Sequence, residues 1–140
     1  CDLAYSSENS QFATPGVNIG LFCSTPMVPL SRTVGKKQAM EMLLTGDLID
    51  AKKALSIGLI NNVFEIKKLE ENVLKIANKI ASKSSATIKI GKDAFYKQKD
   101  MSLKEAYDYT SKIMTENMLH KDSEEGITAF LEKRSPNWKD

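Results

Sequence analysis

Strand-like segments are few and short in this sequence, whereas its second half is a series of amphipathic helices. Strands are predicted only from Leu3 to Tyr5, around Phe12, and in "LINNVF" from Leu59 to Phe64. So few strands cannot form a self-sufficient sheet, and a helical tail of this length is difficult to bury without one. We therefore expect further strands to come from an upstream part of the chain, a partner or a cleaved segment.

Helix boundaries in the first half are predicted from capping residues and glycines. Ser24 or Thr25 is expected to cap a short helix that has Pro26 near its first position. A second helix, in "KKQAMEMLLTG", is expected to close at Gly46, and Asp50 is the candidate N-cap of a third. The glycines expected to end the first and third helices are Gly35 and Gly58.

In the second half, apolar residues recur at three- and four-residue spacing, which predicts helices docked by one face. Glu71 precedes Lys75 by four residues on the outside of the first long helix. Ser102 and Glu105 form the pattern of a capping box for a later helix. Two further expectations are a helix-supporting charge pair of Asp108 with Lys112 and a last helix that starts at Asp122.

Composition argues against several classes of function. A net charge of +2, from 20 basic and 18 acidic residues, is too balanced for a nucleic-acid-binding surface. No run of 18 apolar residues and no secretory signal pattern occurs, so a membrane partner is not expected. Cys1 and Cys23 lack CxxC spacing, and the single histidine, His120, is far along the chain. We therefore expect neither a metal site nor a disulfide framework.

The first residue, Cys1, enters a strand-like run without an initiator methionine, and we expect a segment to precede it. Two other interpretations stay open: an exposed Cys1 nucleophile, and a lipid-modified Cys1 after signal cleavage. A nucleophile needs a cation or base beside its thiol, and a lipid-modified cysteine usually leads into a flexible tether. Neither feature is evident in the sequence that follows.

The segment "FATPGVNIGLFCSTPMVPLSR", from Phe12 to Arg32, places two proline-centred turns, two glycines and a cysteine around an apolar run. This composition is typical of a loop that lines a pocket between a strand and a helix. None of its polar residues is an obvious acid or base.

Three segments, "CDLAYSSENSQFATPGVNIGL", "AMEMLLTGDLIDAKKALSIGLINNVF" and "DSEEGITAFLEKRSPNWKD", resemble the C-terminal half of the crotonase, or enoyl-CoA hydratase/isomerase, superfamily. The resemblance covers nearly the whole chain. It implies an α/β fold, with the C-terminal part of a crotonase-like ββα spiral over residues 1–65 and a helical trimerisation region over residues 66–140. A homotrimer or a dimer of trimers is the implied assembly, and the mitochondrial matrix is the implied compartment.

The resemblance also implies acyl-CoA thioesters of fatty acid metabolism as ligands, with coenzyme A as part of the substrate and no separate cofactor. Two backbone N–H groups that stabilise an enolate would lie upstream of Cys1. Hydratases of the family need two carboxylates, one upstream of Cys1 and the other directly after the proline of "FATPG". This sequence has Gly16 at the second position. Two-carboxylate hydration is therefore not expected, and the catalytic residues are unassigned.

Binding residues follow from the same resemblance. The loop is expected to line the acyl-CoA pocket, and "AFLEKR" is expected to approach the CoA adenine through Phe130 and a phosphate through Lys133. The alternatives are that Phe130 belongs to the core and that Lys133 is solvated. Cys23 is interpreted as a small buried apolar residue in preference to a reactive thiol. The expected pocket-lining residues are Gly16, Asn18, Leu21, Phe22 and Pro26.

Two functions of different classes stay open. The first is an enoyl-CoA hydratase or isomerase; an isomerase needs one carboxylate, for which Glu41 and Glu105 are available, although both are more simply solvent-facing. The second is a non-catalytic crotonase-fold protein that binds acyl-CoA or assembles with partner subunits, with its helical tail as the interface. Asn18, as either a ligand contact or a turn contact, fits both.

Overall fold

The computed structural model describes residues 1–139 and divides into two compact units, Cys1–Ile76 and Ala77–Asp140. The first unit contains β1 (Tyr5–Ser7), β2 (Gln11–Phe12), a 3-10 helix (Pro15–Ile19), α1 (Ser24–Thr33), α2 (Lys36–Thr45), β3 (Ile49–Asp50), α3 (Ala51–Ser56), β4 (Asn62–Phe64) and a second 3-10 helix (Ile66–Lys68). Next comes α4 (Leu69–Ala81), which begins in the first unit and ends in the second. The second unit continues with α5 (Ser85–Gln98), α6 (Leu103–Met118) and α7 (Lys121–Leu131). The functional division into 1–65 and 66–140 stays a prediction.

The four described strands form two separate two-stranded ladders. β1 is parallel to β4, with Tyr5 opposite Asn62, and β2 is antiparallel to β3. Parallel strands need a long crossover connection. Here the connection between β1 and β4 contains α1, α2 and α3. The first strand begins at Tyr5, two residues after the predicted start at Leu3. The shortage of strands predicted from the sequence is therefore a feature of the described structure.

The core of the first unit lies between α1 and α2. Leu43 is its largest fully buried apolar side chain, with 1% of its surface exposed. Partly buried side chains from the neighbouring segments, including Phe12 and Cys23, pack against the same cluster. The other buried members are Leu30, Val34, Ala39 and Met42.

Three of the predicted helix boundaries in the first unit are confirmed and two are wrong. Gly46 closes α2 in the left-handed conformation with φ 67°, and the Asp50 carboxylate accepts the Lys53 N–H at 2.7 Å as the N-cap of α3. Neither Ser24 nor Thr25 caps α1, because the helix begins at Ser24 and the N-cap position is Cys23. Gly35 does not end that helix, which stops at Thr33; Gly35 is the N-cap of α2. Gly58, two residues after the last residue of α3, terminates that helix in the left-handed conformation with φ 76° and is also confirmed.

In the second half of the chain, the predicted capping box and one of the two predicted charge pairs are confirmed. The capping box of Ser102 and Glu105 is confirmed, and hydrogen bonds from Ser102 lower the pKa of Glu105. The ion pair of Glu71 with Lys75 is confirmed at 2.6 Å. The predicted partner of Asp108 is wrong, since Asp108 pairs at 2.8 Å with Lys104, on the preceding turn, instead of Lys112. The last helix starts at Lys121, and His120 is its N-cap.

The segment that follows α7, residues 132–139, returns along that helix, and we call it the terminal strap. Arg134 donates two hydrogen bonds to Glu125 of α7, one at 2.6 Å and one at 3.0 Å. The Asn137 N–H donates to the same carboxylate at 2.6 Å. These donors lower the pKa of Glu125 to about 2. The strap is thus held by a charged side chain that stays ionised in the folded protein at all but strongly acidic pH.

The end of the strap makes a second attachment. The Trp138 Nε1–H donates to the Ser82 carbonyl at 2.8 Å, and the Lys139 N–H donates to the Asp122 carboxylate at 2.7 Å. Asp122 is 1% exposed, and hydrogen bonds from Ser84 and Lys139 lower its pKa. The strap, α7 and the start of α5 are therefore joined by one polar network.

No helix among residues 1–139 is both long enough and apolar enough to cross a membrane.

We predict that Glu125→Gln lowers the midpoint of thermal unfolding by about 2–5 °C at pH 7, because the charge-assisted bonds from Arg134 are lost. The folded pKa of Glu125, about 2, lies below the ordinary value of 4.5. Its stabilising contribution is therefore fully present above that ordinary value and is lost as the pH falls toward 2. The difference between variant and parent should shrink over this range in a pH series of thermal melts.

Glu132→Gln is the matched control. Glu132 also contacts Arg134, but it is more exposed than Glu125, so its replacement should change the midpoint little. Equal losses for both variants, or a loss for Glu125→Gln that does not change with pH, would contradict the assignment.

Candidate functional site

The loop between β2 and α1 is closed by backbone hydrogen bonds at the C-terminal end of its 3-10 helix. Pro15 is the first residue of that helix, where a missing N–H leaves no partner unsatisfied. Gly20 closes the helix in the left-handed conformation with φ 77°, which glycine adopts without a steric penalty. The Leu21 N–H then donates to the Gly16 carbonyl at 2.9 Å. The chain thus folds back on Gly16 before α1 begins.

Gly16, at the position where the resemblance implies a carboxylate, is tightly enclosed. A Cβ atom built there would lie 2.6 Å from the Leu21 carbonyl oxygen and 2.8 Å from the Cys23 Sγ. Both distances are shorter than real Cβ contacts. The Gly16 N–H also donates to the Cys23 Sγ at 3.2 Å. The loop in this form therefore holds glycine and has no space for a longer side chain at position 16.

The other expected pocket-lining residues are mostly exposed on the loop surface. Leu21 is 62% exposed and Phe22 is 43% exposed, and Pro26 lies exposed in the first turn of α1. Asn18 approaches the end of α2, where a Cβ atom on Gly46 would lie 3.1 Å from its side chain. The structure therefore places apolar side chains at the loop surface and Asn18 at a close contact between loop and helix.

Acid–base groups are scarce on this loop. Cys23 is the only titratable side chain between Thr14 and Ser31, and it is half-buried against the core. Glu41 is exposed and lines a separate cavity of about 150 Å³ in the first unit. Glu105 is engaged in the capping box, where it accepts the Ser102 N–H at 3.0 Å. The loop can thus supply apolar contact and backbone groups but no carboxylate.

No cluster of metal-ligating side chains occurs within residues 1–139. Cys1 is exposed at the start of the chain, and the nucleophile interpretation stays a prediction.

Phe130, expected near the CoA adenine, lies on a groove of the second unit with a volume of about 660 Å³. Its side chain is 81% exposed, so in the described part of the chain it is not a core residue. The groove is mostly apolar, with one buried carboxylate, Asp122, among its lining residues. The apolar side chains around Phe130 include Ile88, Met114, Met118, Ile127 and Trp138.

Lys133, expected near a CoA phosphate, has an unusual backbone conformation. With φ 56°, it is the one non-glycine residue at positive φ in the described range. The Arg134 N–H donates to the Ala129 carbonyl at 3.0 Å, and the Lys133 N–H donates to the Phe130 carbonyl at 3.2 Å. These two bonds form a Schellman motif, whose left-handed position usually holds glycine. The backbone of Lys133 is therefore fixed at the end of α7, and its side chain is exposed.

Sequence reasoning missed the residues that fix Phe130 and Lys133 in place. Glu125 and Asp122 of α7 hold the terminal strap: Glu125 accepts from Arg134, and Asp122 accepts from the Lys139 N–H. Because these partners lie up to 17 residues apart along the chain, no helical spacing signals them. The signal available in the sequence was the acidic segment "DSEEG" followed by the basic segment "KRSPNW", because opposite charges in nearby segments indicate an ion pair.

Comparisons with known proteins agree with this architecture. A family model described as enoyl-CoA hydratase/isomerase matches residues 1–140. The chain is 51% identical to the human enoyl-CoA hydratase domain-containing protein 3, mitochondrial, over 99% of this chain and 46% of that protein. It is 38% identical to the mitochondrial enoyl-CoA hydratase of Pongo abelii, over 100% of this chain and 49% of that protein. The resemblance to the crotonase superfamily over nearly the whole chain is thereby confirmed.

Solved structures show the same likeness. A crystal structure of an enoyl-CoA hydratase from Mycobacterium smegmatis matches with a TM-score of 0.96 and 43% identity, over 100% of this chain and 55% of that one. The crystal structure of the human domain-containing protein 3 matches with a TM-score of 0.95 and 51% identity, over 99% of this chain and 55% of that one. The chain spans about half the length of the curated relatives it matches. On these grounds the chain belongs to the enoyl-CoA hydratase/isomerase, or crotonase, family and has the corresponding part of its fold.

Proposed function

We propose that the protein to which this chain belongs acts on acyl-CoA thioesters of fatty acid metabolism through an enolate, without adding water by means of two carboxylates. Family membership supports the ligand class. The single observation that carries the second part is Gly16, which supplies no acid and stands where no side chain fits.

Without a carboxylate at position 16, the chemistry we propose depends on electrostatic stabilisation of an enolate. Two backbone N–H groups aimed at the thioester carbonyl stabilise the oxyanion of an enolate, each by on the order of a few kcal/mol. We place these donors in the part of the protein that precedes Cys1. This chain contributes the apolar wall through Leu21, Phe22 and Pro26, which excludes water from the acyl group. A single carboxylate elsewhere would then move a proton between carbons, as an isomerase does.

The CoA end of the ligand is assigned to the second unit. Phe130 offers an exposed aromatic face for the adenine ring, and Lys133 offers an exposed positive charge for a phosphate. Lys133 is part of the terminal strap, which bonds to Glu125 of α7 through Arg134 and Asn137. No cofactor beyond the CoA of the substrate is required by this scheme.

The second candidate function is non-catalytic binding or subunit assembly. Gly16 favours it, because the loop lacks a proton-transfer group. The apolar side chains left exposed on α6, among them Leu103 and Tyr107, also favour it, because exposed apolar patches mark interaction surfaces. A homotrimer or dimer of trimers through the helical region is the assembly we propose. Mitochondrial relatives point to the mitochondrion, and we propose the matrix.

We predict that a short enoyl-CoA raises the midpoint of thermal unfolding of the full protein but is not hydrated. At a ligand concentration of 100 times Kd, binding should stabilise the native state by about 2.7 kcal/mol. Hydration is measured as the loss of absorbance of the conjugated thioester. A saturated acyl-CoA in D₂O provides the third measurement, because enolate formation exchanges its α-proton for deuterium, detectable by mass spectrometry.

Binding with α-exchange and without hydration is the expected result. Binding with neither reaction would favour the non-catalytic candidate. Rapid hydration would contradict the argument from Gly16, and absence of binding would contradict both candidates.

We predict that Lys133→Gly weakens the binding of CoA about 3- to 10-fold, as expected for loss of one exposed charge contact. The same change should leave the free energy of unfolding unchanged or raise it by up to about 1 kcal/mol, because glycine relieves the left-handed conformation. Calorimetric titration and denaturant unfolding of the full protein measure the two effects separately. Lys112→Ala, which removes an exposed lysine of α6, is the control; equal weakening by both variants would contradict a specific role for Lys133.

A further inference from the structure

The loop form seen here depends on contacts between position 16 and the segment that returns toward α1. The Gly16 N–H donates to the Cys23 Sγ, and the Leu21 N–H donates to the Gly16 carbonyl. Gly16 is therefore held through both its donor and its acceptor. The space beside its Cα is filled by the Leu21 carbonyl oxygen and the Cys23 sulfur.

We infer that Cys23 is a positioning residue which, together with the Leu21 carbonyl, holds the loop in a form that excludes any side chain at position 16. A contact of 2.6 Å with a backbone oxygen cannot be relieved by a rotamer change, since the backbone itself must move. The Cys23 side chain packs against the core cluster, so its sulfur cannot move without repacking. Gly16 and Cys23 are thus a coupled pair.

The inference has a consequence for catalysis that rests on the proposed function. If the loop were an ordinary hydratase loop with one residue changed, Gly16→Glu would restore the missing carboxylate. In the form described here, a glutamate at position 16 displaces residues 21–23, which also carry the apolar pocket wall. The single substitution is therefore expected to yield less than one hundredth of the hydration rate of an ordinary hydratase and to destabilise the protein.

The pair is tested first without any ligand, by thermal unfolding of the full protein and three variants: Gly16→Ala, Cys23→Ala and the double variant. Gly16→Ala should lower the midpoint by about 3–10 °C, because overpacking forces backbone shifts. Gly91→Ala is the matched control, since a Cβ there meets nothing within 4 Å and the residue lies in α5. It should leave the midpoint unchanged or slightly raised.

The loss in the double variant should be smaller than the sum of the two single losses, because Cys23→Ala removes one of the two clashes. Additive losses would show that the sulfur does not take part, and would overturn the role of Cys23. A midpoint for Gly16→Ala equal to that of Gly91→Ala would overturn the whole inference.

Thiol reactivity supplies a second readout, with Glu125→Gln as the control for general destabilisation, because that variant is expected to lose stability without a change at the loop. A methyl group at position 16 displaces the Cys23 sulfur, so the rate of alkylation of Cys23 in Gly16→Ala should rise at least about 5-fold under native conditions. Peptide mass spectrometry measures this rate separately from that of exposed Cys1, whose rate should not change. An unchanged rate at Cys23 would contradict displacement of the sulfur. Because melting and alkylation need no acyl-CoA, their failure is distinguishable from a failure of the proposed function.

Discussion

Burial of the Leu43 cluster between α1 and α2 is the interaction on which the loop geometry depends. Phe12 precedes the loop and Cys23 ends it, and both pack against this cluster. Because both ends are anchored in one core, the ten residues between them are confined to a tight path. The closure onto Gly16 is a result of that confinement, and it decides what chemistry the loop can offer.

Interactions within one helical turn could be predicted from the sequence, because their spacing is fixed by helix geometry. Gly46, Asp50 and the capping box at Ser102 are of this kind. Asp108 shows the limit of such reasoning: lysines stand four residues away on both sides, and spacing alone does not choose between them. The attachments of the terminal strap could not be predicted, because Glu125 and Asp122 find partners across a chain reversal.

At the candidate site, too, one property could be predicted from the sequence and another could not. That Gly16 cannot transfer a proton follows from its identity, and the sequence was sufficient to predict it. That no side chain fits there follows from the Leu21 carbonyl and the Cys23 sulfur, whose positions depend on the turn at Gly20 and on the core. The absence of a carboxylate at position 16 is therefore accompanied by a loop conformation that leaves no space for one.

Lys133 supports the same line of argument at the other end of the chain. The Schellman bonds around it are made by backbone groups, so its side chain is not needed to end α7. Glycine at this position would avoid a conformational penalty of about 1 kcal/mol. The fold therefore does not require the lysine side chain here, and this observation supports our proposal that its exposed charge meets a CoA phosphate.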